Sequence, residues 1–170
     1  AACYAVVAYR TAYLKHYYPV EFMAALITSV IDNPGKVTGY VHDIKAMGIQ
    51  ILPPDINLCR SEFGVDGNNI RYGLSAIKGL GRPVIEAIVS EREQNGRFRD
   101  IKDFCERLSG KEVNKRTVEN FIKAGAFDSL PGTRKQLMSI YQQVMDGVQR
   151  DKKKNLTGQM SLFDFMAQDE

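Results

Sequence analysis

The sequence predicts a mainly α-helical protein carrying one small β element, and three observations support this. Apolar residues recur at spacings of three and four through most of the 170 residues. Helix-start residues (Asn, Asp, Thr, Pro) and helix-stop glycines punctuate those stretches. Only between Ile49 and Tyr72 does the texture become β-branched, around a turn-forming cluster. With 44% hydrophobic and 25% charged residues, the chain has the composition of one packed domain or two small ones.

Taken in order, Ala5, Val6, Tyr9, Tyr13 and Tyr17 form one apolar stripe on a first helix. The tyrosines could stack on bases, but this spacing favours packing into a core. Pro19 ends that helix and opens the next, whose face is Phe22, Met23, Leu26, Ile27 and Val30. Asn33-Pro34 starts a third helix, through Val37, Tyr40, Val41, Ile44 and Met47, and Gly48 stops it. Ile49 to Leu52, Phe63 to Val65 and Ile70 to Tyr72 predict three short strands, the last two joined across Asp66-Gly67-Asn68-Asn69. A short helix from Leu74 to Lys78 and a longer one from Pro83 to Glu93 follow. Asp100, Asn114 and Thr133 cap three more, with a loop at Ser109-Gly110-Lys111 and a stop at Gly125. Arg150 to Asn155 is expected to be a solvated linker before an apolar, aromatic tail.

Several function classes fall away at this level. Three cysteines (Cys3, Cys59, Cys105) without a CxxC spacing disfavour a disulfide framework and suit a reducing, cytoplasmic compartment. With only His16 and His42, no zinc-ligand spacing arises, and a Cys–His nucleophile is the less common role for such residues. Acid pairs such as Glu91/Glu93 and Asp100/Asp103 sit among basic residues and are better read as solvated ion pairs. No apolar run approaches the roughly 18 residues of a membrane span, and the N-terminal residues lack a signal-peptide pattern. The sequence has no initiating Met and opens in mid-pattern, so a piece of a longer chain is expected.

The chemistry concentrates at Ile77-Lys78-Gly79-Leu80-Gly81-Arg82. A helix end meets a Gly-x-Gly turn, and a second helix follows at once. The glycines allow a tight turn and close backbone approach, while the unpaired N–H groups of the new helix face outward. Lys78 and Arg82 flank the turn. This is the layout of a helix-hairpin-helix, which holds a nucleic-acid phosphate by main-chain donors and reads no bases; a plain glycine-stopped corner is the bland alternative. The net charge is only +3, so a polyanion needs a local patch. Between Arg71 and Arg116, eleven basic residues, Lys115 and Arg116 among them, face seven acidic ones, and the surplus of four surrounds the hairpin. A weaker copy at Phe121 to Phe127, with Gly125 alone, either packs with the first across a duplex or is only core. In the tail, Gln159-Met160-Ser161-Leu162-Phe163 offers one amide and two large apolar side chains, suited to docking in a partner's pocket.

The runs YAVVAYRTAYLKHYYPVEFMAALITSVIDN, MGIQILPPDIN, IRYGLSAIKGLGRPVIEAIVSER and NKRTVENFIKAGAFDSL, in that order, resemble the alpha subunits of bacterial DNA polymerase III, the C-family replicative polymerases. The likeness covers nearly the whole chain. It implies that residues 1–57 end a helical fingers region. Residues 58–148 would be a tandem helix-hairpin-helix domain with a short β hairpin that grips duplex DNA, and 149–170 a linker with the clamp-binding peptide. Gln159, Met160, Ser161, Leu162 and Phe163 match that peptide's pattern, with Met160 where Leu is usual. The expected partners are primer-template duplex, the sliding clamp and other replicase subunits, with no membrane. The resemblance places the catalytic aspartates and their Mg2+ in a palm upstream. This piece is therefore expected to hold no catalytic residue, metal or cofactor and not to polymerise alone. Two rival readings are a helix-hairpin-helix DNA glycosylase using Asp100, 19 residues after Gly81, and a pure protein-interaction module.

Overall fold

The computed structural model describes the backbone of residues 2–108 and 113–166, with side chains described to residue 154 outside that gap. The expected loop at Ser109-Gly110-Lys111 lies outside the described residues. Seven α-helices and a three-stranded sheet are present among them: α1 Ala2–Tyr17, α2 Pro19–Ser29, α3 Pro34–Ala46, β1 Ile51–Leu52, β2 Gly64–Asp66, β3 Asn69–Arg71, α4 Arg82–Asn95, α5 Ile101–Leu108, α6 Lys115–Ala124 and α7 Arg134–Met166. The mainly α architecture with a small β element is as the periodicity predicts.

The start signals act as their chemistry requires. The side chains of Asn33 and Asn114 accept from the amides three residues on, Lys36 and Thr117. Asp100 Oδ1 accepts from Asp103 N at 2.8 Å and opens α5 in the same way. Thr133 and Gln136 form a reciprocal capping box at the start of α7, with Thr133 N donating to Gln136 Oε1 at 2.8 Å.

Two apolar clusters hold the chain. Met23, Ala24 and Ile27 of α2, Val37 and Ile44 of α3, Ile49 before β1, Phe63 just before β2 and Ile70 of β3 make the first. The second gathers the inner faces of α4 to α7, centred on Phe104, whose ring meets Phe98 and Phe127 edge-on at 5.0 Å. The sheet runs β1-β3-β2, β1 parallel and β2 antiparallel to β3. Chain segments interleave: Ile56 joins the second cluster, Phe63 and Ile70 the first, and Tyr72 packs against both.

Three local expectations are corrected. The tyrosine stripe of α1 is not core: the helix buries no residue, and Tyr9 is 70% exposed. Its periodicity is real, but among the described residues α1 meets little beyond α2. The segment from Leu74 to Lys78 is a single 3-10 turn, Leu74–Ala76, too short for an α-helix before the glycines. Arg150 to Asn155 is not a linker in backbone terms, since α7 continues through it. Its lysines and arginine propagate a helix well, and neither Gly nor Pro interrupts them.

Candidate nucleic-acid interface

Between the buried anchors Ile77 and Val84 the chain makes a short hairpin and enters α4. Gly79 takes φ +81°, the left-handed region that a side chain resists. Gly81 is the N-cap of α4 in an extended conformation, and having no side chain it caps nothing. Pro83 in the first turn carries no N–H. Ile85 N donates to Gly81 O at 3.3 Å. Among the described residues, no acceptor takes the amides of Gly79, Leu80, Gly81, Arg82 or Val84. Lys78, Gly79, Gly81 and Arg82 are exposed, and Leu80 is half-buried. The corner thus presents a fan of donors at a helix N-terminus, which is the arrangement that suits an anion.

The basic surplus is not one free patch. Arg71 pairs with Asp66 at 2.6 Å. Arg92 donates to the carbonyls of Ile56 and Cys59, tying α4 to the chain before the β hairpin. Arg107 bonds the Glu91 carboxylate and the Glu91 and Gly96 carbonyls while lying 4.4 Å over the Phe98 ring. These guanidiniums serve the fold, a role their place in the sequence does not announce. Lys115 forms an ion pair with Asp146 at 2.7 Å. Lys78, Arg82, Arg97 and Arg116 have no ion pair among the described residues. Of the seven predicted contact residues, Lys78 to Arg82 are contiguous at the corner, while Lys115 and Arg116 stand exposed at the start of α6.

The second glycine turn is built differently. Gly125 caps α6 at φ +81°, and its amide donates to Ile122 O while Ala126 N donates to Phe121 O. Asp128 and Leu130 amides bond Gly125 and Phe127 carbonyls. Gly125, Ala126 and Phe127 are buried, and Arg134, paired with Asp128, closes over the turn. That guanidinium holds the Asp128 carboxyl below its usual range.

The alternative chemistries meet specific obstacles. Asp100 is engaged as the cap of α5. Cys59 and Cys105 are buried and burial raises both thiols, Cys105 to about 12, which opposes a thiolate nucleophile. Among the described residues no cluster of three or more His, Cys, Asp or Glu could hold a metal, and no helix is long and apolar enough to cross a membrane. Gln159, Met160, Ser161, Leu162 and Phe163 fall within α7, but their side chains lie outside the described residues. Sequence reasoning missed Asn120, whose side chain meets the hairpin from α6. No local signal could reveal a contact 42 residues away.

A family model described as a helix-hairpin-helix motif matches residues 48–137. The chain is 45% identical over 163 residues to DNA polymerase III subunit alpha of Borreliella burgdorferi, and 44% identical over 163 residues to that of Saccharopolyspora erythraea. It is 44% identical over 164 residues to that of Vibrio cholerae. Each of these matches covers 96% of this chain and 14% of the relative, so the chain spans about a seventh of the proteins it resembles.

Proposed function

Because this chain belongs to the helix-hairpin-helix family and corresponds to a segment of DNA polymerase III subunit alpha, we propose that it grips duplex DNA through the Gly79–Gly81 corner. The single observation that supports this most is the set of open amides at Gly79, Leu80, Gly81, Arg82 and Val84, beside the exposed side chains of Lys78 and Arg82. One phosphate accepts from the amides of Gly79, Leu80 and Gly81, with the start of α4 behind them. Lys78 and Arg82 neutralise it and its neighbour, and Lys115 and Arg116 extend the contact along the backbone. Main-chain donors meet phosphate and not base edges, so the grip is independent of sequence and falls steeply with salt.

In the parent polymerase, this segment would hold primer-template duplex as it leaves an upstream palm. There, Mg2+ and the acidic residues of that palm would perform nucleotidyl transfer, and the segment itself would need no cofactor. In this reading residues 1–57 serve as the end of the fingers, 58–148 as the grip and 149–170 as the tether, in a cytoplasmic replicase with further subunits. Gln159, Met160, Ser161, Leu162 and Phe163 would dock on the sliding clamp, Leu162 and Phe163 as the apolar anchors.

Fluorescence anisotropy of a random-sequence duplex, titrated with the chain at several salt concentrations, tests the grip. Binding should weaken linearly in log salt, and Lys78→Ala with Arg82→Ala should weaken it further and make the slope shallower by about two. No binding at low salt would refute the grip and leave a protein-interaction module. For the tether, Leu162→Ala with Phe163→Ala should abolish clamp binding and spare duplex binding; an unchanged clamp affinity would contradict it. Release of a damaged base, lost in Asp100→Asn, would restore the glycosylase reading.

A further inference from the structure

One side chain from another helix hydrogen-bonds the backbone of the hairpin between Ile77 and Val84. Asn120 stands on the middle of α6, and its Nδ2 donates to the Lys78 carbonyl at 3.3 Å. A Cβ built at Gly79 would lie 2.8 Å from that same nitrogen, so the amide of Asn120 roofs the glycine. The helices on either side have their own apolar anchors: Val84, Ile85 and Ile88 for α4, and Val118, Phe121 and Ile122 for α6. Between Ile77 and Val84 the hairpin has one apolar anchor of its own, Leu80, half-buried against the second apolar cluster, and its other residues are exposed. Among the described residues, no other hydrogen bond ties the hairpin's backbone to a distant element.

We propose that Asn120 is a positioning residue for the hairpin. Its donor fixes the Lys78 carbonyl and keeps the following peptide units turned so that the Gly79, Leu80 and Gly81 amides converge before an anion arrives. This deepens the duplex-grip reading and rests on it for its consequence in binding. Donors already in place need no ordering when the ligand binds, and that ordering would otherwise subtract from affinity. Asn120 carries no charge, so its removal should change the strength of binding without changing the number of counterions released.

The test uses Asn120→Leu, which keeps the bulk and removes the donor, with Asn120→Ala beside it in case Leu strains the surface of α6. Two readouts are taken on the 170-residue chain: backbone 15N order parameters at Gly79, Leu80 and Gly81 without DNA, and duplex affinity across a salt series. The expected result is a fall in order parameters from about 0.85 towards 0.6 or below. Duplex binding should weaken about five-fold, with the salt slope unchanged. Unchanged order parameters in both variants overturn the inference, and if Lys78→Ala with Arg82→Ala still weakens binding, the grip stands without it. A shallower salt slope in the Asn120 variants also overturns it, because that result would mean a displaced cation. If the wild-type chain binds no duplex but the variants loosen the hairpin, the positioning role holds and the grip reading fails.

Discussion

Gly79 and Gly125 share a backbone angle, φ +81° in each, and both end a helical turn before another helix begins. Their surroundings are opposite. Around Gly125 the amides of Gly125 and Ala126 reach carbonyls at the end of α6, those of Asp128 and Leu130 reach carbonyls of the turn, Phe127 sits in the aromatic core, and Arg134 lies over the glycine. Around Gly79 the amides have no acceptor and the flanking cations are exposed. A glycine turn therefore carries no function by its angle alone. What matters is whether its donors are satisfied within the turn. The closed turn holds the fold, and the open one remains available to a ligand.

The largest expected effect breaks the closed turn. Phe127→Ala should cost about 3–5 kcal/mol of stability, because it removes a buried ring that contacts Phe104 and Phe121. The matching change at the open turn, Leu80→Ala, should cost about 1 kcal/mol or less at a half-buried site. Urea denaturation of both variants measures the contrast, and equal losses would erase it. Next in size is Gly79→Ala, which forces a side chain into the left-handed region and against Asn120. A destabilisation of about 1–2 kcal/mol is expected, with loss of duplex binding. Gly125→Ala should show a stability loss of similar size while leaving the duplex affinity of the folded fraction unchanged.

Charge removal should be milder for stability and selective for binding. Lys78→Ala and Arg82→Ala should leave the melting temperature within about a degree of wild type, since both are exposed and have no ion pair among the described residues. The smallest effect concerns pH. Arg134 depresses the Asp128 pKa in the folded chain, so the pair's contribution is present above the unfolded carboxyl value, about 3.9. It is lost as pH falls through the lower folded value. Acid melting should show a small loss below about pH 4 that Asp128→Asn lacks, and identical acid profiles would contradict the assignment.

Much of this was legible in the sequence, for reasons that particular residues make plain. Asn33, Asp100, Asn114 and Thr133 cap helices because a short polar side chain satisfies an orphan amide wherever it precedes an apolar repeat. The Gly79–Gly81 corner was legible because a tight turn needs glycine in this chain order. The tyrosines of α1 were misread because periodicity reports a face, not what covers it. Arg92 and Arg107 looked like surface charge, yet both donate to backbone carbonyls, Arg107 besides its bond to the Glu91 carboxylate, and the carbonyls that Arg92 reaches lie more than thirty residues away. Asn120 was invisible for the same reason: contacts across the fold leave no local pattern.

The central claim is that the Gly79–Gly81 amides, and not those of the Gly125 turn, meet a phosphate backbone. A 1H–15N titration of the chain with a short random-sequence duplex tests it most directly. Amide shifts should be largest at Gly79, Leu80, Gly81 and Arg82 and negligible at Gly125, Ala126 and Asp128. Shifts that spare the first group, or that fall equally on both turns, would contradict it.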